Sequence, residues 1–71
     1  MTQLALDTLC LIIGQKPRDF TAITIMRLFQ KVNHDTRDWH EFSSVLDRLH
    51  NYGVLTISGY NTSGMTIYNL I

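Results

Sequence analysis

The sequence predicts an α+β fold: a three-helix, helix-turn-helix core followed by a C-terminal β-hairpin. Three observations predict it. Up to Asn51, apolar residues recur at the three-and-four spacing of amphipathic helices in three separate segments. From Val54 the composition turns to β-branched and aromatic residues, in two runs around a Gly-bounded turn. The chain has 71 residues, which is room for one small domain and no linker-joined pair. With 45% hydrophobic and 17% charged residues it has the composition of a folded domain rather than a disordered one. A domain this small buries only about 60% of its unfolded surface, so its core must be dense.

The first helix is expected over Thr2 to Gln15. Leu6, Leu9, Cys10 and Ile13 give the stripe that would face inward, and Cys10 would be buried with it. Leu11 and Ile12 fall off that stripe, so this helix is apolar on two faces and wants covering on two faces. Gly14 would form the C-terminal cap and Pro17 would stop the ladder. Arg18 to Thr21 reads as a short extended or turn segment. Thr21 can then cap a second helix over Ala22 to Asn33, with Ala22, Ile25, Met26, Phe29 and Val32 inward and Leu28 on the flank. Thr24, Arg27, Gln30 and Lys31 would be on the wet side. Asn33 to Arg37 contains no apolar residue and reads as a loop.

Asp38 suits the N-cap of a third helix over Trp39 to Asn51, with Glu41 completing a capping box. Phe42, Val45, Leu46 and Leu49 form its apolar stripe; His40, Glu41, Ser44, Asp47, Arg48 and Asn51 form the opposite face. Gly53 would close it. Strands are expected over Val54 to Ser58 and Met65 to Ile71, with the turn over Gly59 to Gly64. Apolar residues on both sides of the second strand leave its inward face open.

Three helices followed by a hairpin is the winged-helix order, in which the second and third helices form the helix-turn-helix and the hairpin is the wing. The most specific local signal is Leu46-Asp47-Arg48-Leu49-His50-Asn51-Tyr52-Gly53-Val54-Leu55, which looks like the helix-to-wing junction common to such domains. Beyond that order, Leu9 to Ile13, Phe20 to Val32, the Phe42 to Leu55 junction and the closing Met65 to Leu70 strand resemble the winged-helix domain of the eukaryotic origin-recognition and replication-licensing ATPases. The resemblance covers nearly the whole chain, as pattern more than identity. It implies a domain that follows an ATPase domain, contacts origin DNA and packs against neighbouring subunits in the nucleus. No phosphate-binding Gly-rich loop with Lys and Ser/Thr is present, so the resemblance implies a C-terminal piece of a larger protein with no ATPase activity of its own.

In a DNA-reading role the third helix would enter the major groove of double-stranded DNA with His40, Ser44, Asp47, Arg48 and Asn51 toward base edges. Arg37 and Lys31 would meet phosphates, as would Lys16 and Arg18. Tyr60, Asn61, Thr62 and Ser63 in the wing would touch backbone or minor groove. Charge weighs against a strong grip. Six Lys and Arg balance six Asp and Glu, and no charged residue lies beyond Asn51. Glu41 and Asp47 repel phosphate, and about four usable cations limit the salt slope to roughly −3 to −4. The same neutral surface, with Tyr52, Tyr60 and Tyr68 in the hairpin region, suits a protein partner. For the isolated domain the two uses weigh about equally; within a replication-initiation assembly both kinds of contact are expected. A free-standing winged-helix transcription regulator and a winged helix used only for protein contacts are the alternatives.

Other chemistry finds little support. One cysteine allows no internal disulfide. The longest apolar run, Leu9 to Ile13, falls far short of the ~20 residues of a membrane span, and Asp7 interrupts any signal-peptide pattern. His34, His40 and His50 lack metal-ligand spacing and read as surface or capping residues. Cys10 has no neighbour to activate it. His40 lies four residues before Ser44, which permits a helical hydrogen bond but brings no oxyanion site. No enzyme activity and no cofactor are expected. Trp39 is read as packing on the end of the second helix in preference to stacking on a base, and Met26 and Met65 as core fillers.

Overall fold

A computed structural model describes residues 2–33 and 37–71. Three helices, α1 (Gln3–Gln15), α2 (Ala22–Asn33) and α3 (Trp39–Asn51), precede an antiparallel hairpin of β1 (Leu55–Tyr60) and β2 (Thr66–Leu70). The α+β class and the element order agree with the sequence expectation. Most of the expected loop between α2 and α3, namely His34, Asp35 and Thr36, lies outside the described residues.

Thr2 caps α1, its Oγ1 accepting from the Ala5 amide at 3.2 Å. The buried face of α1 is Ala5, Thr8 and Ile12, with Leu4, Leu9 and Leu11 half-buried beside it. The expected stripe is therefore corrected. Leu6 is 44% and Ile13 51% exposed, and Cys10 is exposed as well. A helix apolar nearly all the way round offers more than one possible inward face, and the small Ala5 and Thr8 let α1 come closer to its neighbours than Leu6 would. The C-terminal cap is also corrected. Gly14 stays in the helix, and Lys16 adopts the left-handed conformation (φ 50, ψ 51) while its amide donates to Ile12 O at 2.8 Å.

Thr21 and Thr24 box the start of α2: the Thr24 amide donates to Thr21 Oγ1 at 3.4 Å, and the Thr21 amide donates to Thr24 Oγ1 at 3.3 Å. Ala22, Ile25 and Phe29 are buried, and Met26 and Leu28 are half-buried. Val32, expected inside, is 50% exposed, because the last turn of α2 runs past the core. On α3, Phe42, Val45, Leu46 and Leu49 are buried as expected, and the Phe29 and Phe42 rings meet at 5.2 Å. Asp38 sits at the N-cap but makes no side-chain cap hydrogen bond, so the expected capping box does not form. At the other end Gly53 has φ +84, its amide donates to His50 O at 2.9 Å, and the Val54 amide donates to Leu49 O at 3.2 Å. That is a Schellman closure, which needs a left-handed residue at this position.

The hairpin register runs Leu55 opposite Leu70, Ile57 opposite Tyr68 and Tyr60 opposite Thr66, with a bulge between Ile57 and Gly59. Gly59 and Tyr60, expected in the turn, are paired residues of β1, because the bulge absorbs one residue and carries the ladder further. The open question about β2 is resolved: Tyr68 is buried with Leu55, whereas Leu70 and Ile71 are exposed. Arg18 to Thr21 does more than connect helices. Phe20 pairs with Tyr68 as an isolated antiparallel bridge and lies fully buried in the core between helices and hairpin.

Candidate functional site

The outer face of α3 is set by its inner face. Burying Phe42, Val45, Leu46 and Leu49 turns His40, Ser44, Asp47, Arg48 and Asn51 outward. His40, Ser44, Asp47, Arg48 and Asn51 are all exposed. His40, Glu41, Ser44 and Arg48 line one side of an open groove of about 370 Å³, with Thr2 and Leu4 of α1 on the other. The groove therefore carries both charge signs, Arg48 and Glu41, beside an imidazole.

At the start of α3 three side chains fix one another. His40 Nδ1 lies 3.0 Å from Asp38 Oδ2, and the imidazole stacks on the Trp39 indole with centroids 3.8 Å apart. An ionised carboxylate only accepts, so Nδ1 carries the proton and Nε2 is the acceptor of the neutral ring. The hydrogen bond from His40 is the main cause holding the Asp38 carboxyl below its ordinary value. This contact explains the missing cap, since the Asp38 carboxylate turns to the ring rather than to the first amides of α3.

A second cleft, about 260 Å³, opens between the starts of α2 and α3 and the hairpin turn. Trp39, Ser43, Ser63, Met65, Thr66 and Tyr68 line it, and none of them is charged. Trp39 and Met65 pack half-buried against the core. Sequence reading gave Ser43 no place here, because a serine flanking an apolar stripe gives no periodic signal.

At the end of β1, Tyr60 is 69% exposed, and Asn61, Thr62 and Ser63 of the turn are exposed too. Asn61 holds the turn in shape, its Oδ1 accepting from the Ser63 and Met65 amides, each at 3.0 Å. Its carbonyl oxygen is thus committed to the turn. Of the three tyrosines offered to a partner, Tyr52 and Tyr60 are exposed, whereas Tyr68 belongs to the core. Burial, and secondarily the charge of Asp47, pushes the Tyr68 phenol above its ordinary value.

Lys31 and Arg37 are exposed on either side of the connection between α2 and α3. Lys16 and Arg18 line a separate cleft with Pro17, Asn69 and Leu70, and that cleft includes no residue of α3. Among the described residues no group of three or more His, Cys, Asp or Glu is placed to hold a metal ion, and no helix is long and apolar enough to cross a membrane. No known protein family, curated protein or solved structure matches the chain.

Proposed function

We propose that the chain is a winged-helix module that contacts double-stranded DNA through α3 and the hairpin turn and contacts protein subunits through its uncharged hairpin. The observation that carries this reading is the polar outer face of α3. His40, Ser44, Asp47, Arg48 and Asn51 point outward together on a helix anchored from behind by four buried side chains. Helix-turn-helix proteins use such a face to reach base edges in the major groove. Arg48 and Asn51 carry the donors suited to guanine and adenine, and Lys31 and Arg37 would meet phosphates. Tyr60, Thr62 and Ser63 would touch the sugar-phosphate backbone.

The placement in DNA replication initiation, in the nucleus and beside other subunits of an origin-recognition assembly, rests on the sequence resemblance. The module itself is non-catalytic in this reading. A second reading, a winged helix devoted to protein contacts, draws on the exposed Tyr52, Ile57 and Tyr60 in a region without a single charge. The test is an NMR titration of the ¹⁵N-labelled chain with duplex DNA at low and moderate salt. Shifts confined to α3 and residues 60–64 are expected. An unchanged spectrum at low salt removes the DNA reading and leaves the protein-contact one.

A further inference from the structure

The α1–α2 connection carries a cleft of about 270 Å³, lined by Lys16, Pro17 and Arg18 with Asn69 and Leu70 of β2. Both cations are exposed, and among the described residues neither takes part in an ion pair. The hairpin adds no acid, because no charged residue lies beyond Asn51. Asp19, next along the chain, is engaged by Asn69 and does not line the cleft. Pro17 and Leu70, the latter 38% exposed, give the cleft apolar walls. We propose that this cleft docks an acidic, aliphatic peptide segment of a partner protein, with Lys16 and Arg18 on its carboxylates and Pro17 and Leu70 against its apolar side chains.

Size, chemistry and position select this occupant. The volume falls below the ~300–1,000 Å³ of a pocket that encloses a whole small molecule, so the cleft takes a few side chains of a larger ligand. A phosphate backbone engages cations but gains nothing from apolar walls. A carboxylate beside an aliphatic side chain uses both: the Arg18 guanidinium matches a carboxylate in a fork, and Lys16 adds a point charge. The cleft also stands apart from the turn. Thr66 adjoins the turn and Leu70 ends β2, about 13 Å further along the strand. The binding segment is preformed. Lys16 (φ 50) and Asp19 (φ 49) are the two non-glycine residues with positive φ among the described residues, and they bracket Pro17 and Arg18. Glycine would hold the first of these conformations at lower cost, yet a cation stands there. The Asp19–Asn69 hydrogen bonds, at 2.8 and 2.9 Å, tie the segment to β2, which lowers the ordering cost of binding. None of this depends on how α3 is used.

An NMR titration of the ¹⁵N-labelled whole chain with an N-acetylated, C-amidated hexapeptide alternating leucine and glutamate tests the proposal. A hexapeptide alternating serine and glutamate, of equal charge, and duplex DNA are titrated in parallel. Saturable shifts at residues 16–20 and 69–71 are expected with the leucine peptide, at a dissociation constant on the order of 1 mM. The serine peptide should bind there more weakly, by about five-fold or more. Lys16→Gly suits the left-handed backbone and Arg18→Gln is at an exposed position, so both variants keep the fold, which circular dichroism verifies. Each should weaken the leucine peptide by about two- to five-fold, and the double variant should show no saturable binding. No shifts up to about 5 mM peptide, an unchanged affinity in the double variant, or equal binding of the serine peptide overturns the proposal. Shifts at the cleft with duplex DNA and none with the leucine peptide overturn it too, and make Lys16 and Arg18 phosphate contacts. Failure with the peptide leaves shifts on α3 with DNA, and the reading built on them, untouched.

Discussion

Asp19 and Asn69, fifty residues apart, clasp each other: the Asp19 amide donates to Asn69 Oδ1 at 2.8 Å, and Asn69 Nδ2 donates back to Asp19 Oδ1 at 2.9 Å. Asp19 sits at φ 49, a left-handed conformation that Asp tolerates better than most residues because its short side chain bonds locally. Its chain neighbour Phe20 then exchanges two backbone hydrogen bonds with Tyr68, at 3.0 and 2.8 Å. The clasp thus fixes the entry of the α1–α2 connection onto the free edge of β2.

Asn69→Ala removes both side-chain bonds of the clasp and the one Asn69 Nδ2 makes to Ser58 Oγ. The site is solvent-accessible, so the expected loss is about 1 kcal/mol, or a thermal midpoint lower by about 4–8 °C. Thermal unfolding by circular dichroism reads this directly. An unchanged midpoint would mean that the Phe20–Tyr68 bridge holds the connection alone.

Thr8 is fully buried on α1, and its Oγ1 has no hydrogen-bond partner. An unsatisfied buried hydroxyl costs about 1–3 kcal/mol. Thr8→Val keeps the branched shape and removes the polar atom, so the variant should be more stable by about 1 kcal/mol. Urea unfolding should move to a higher midpoint with an unchanged slope; a lower midpoint would place a hidden partner on that hydroxyl.

Tyr68 links stability to alkaline pH. Its phenol is raised in the folded state, first by burial and then by Asp47, with the Thr66 hydroxyl pulling the other way. A raised folded value means that the folded chain holds the proton more tightly than the unfolded one. The resulting stability is complete below the ordinary tyrosine value of about 10 and is lost as pH rises through the folded value. Tyr68→Phe keeps the ring in the core without the ionisable group. Its thermal midpoint should fall less steeply above about pH 10 than that of the unaltered chain. Parallel curves for the two proteins would refute the linkage.

Asp47 lies on the proposed DNA face beside Arg48 and is exposed. Asp47→Asn removes one phosphate-repelling charge, so affinity for duplex DNA should rise by roughly two- to five-fold at low salt, the gain fading as salt screens it. Fluorescence anisotropy across a salt series measures both. A weaker-binding Asp47→Asn would mean that this carboxylate accepts from a base rather than repelling the backbone.

Much of the fold was legible because α2 and α3 divide cleanly into wet and dry faces. Ala22, Ile25 and Phe29, like Phe42, Val45, Leu46 and Leu49, repeat with one period, and polar residues fill the rest of each turn. The polar face of α3 was legible for the same reason, as the complement of a well-defined stripe. The arrangement at its start was not: whether Asp38 caps amides or holds His40 depends on a rotamer choice between two partners of similar chemistry.

The sequence by itself determined the order of elements, the span of α2 and α3, the Gly53 closure and the uncharged hairpin. These follow from local rules: periodicity, the left-handed tolerance of glycine and the placement of charges. Only the tertiary structure decided which side of α1 is buried, that Phe20 joins the hairpin, and that a bulge carries β1 through Gly59 to Tyr60. Each of those choices depends on contacts between residues far apart in the chain. Leu6 and Ile12 are equally apolar, and only the shape of the surface formed by α2 and α3 admits one and leaves the other in water.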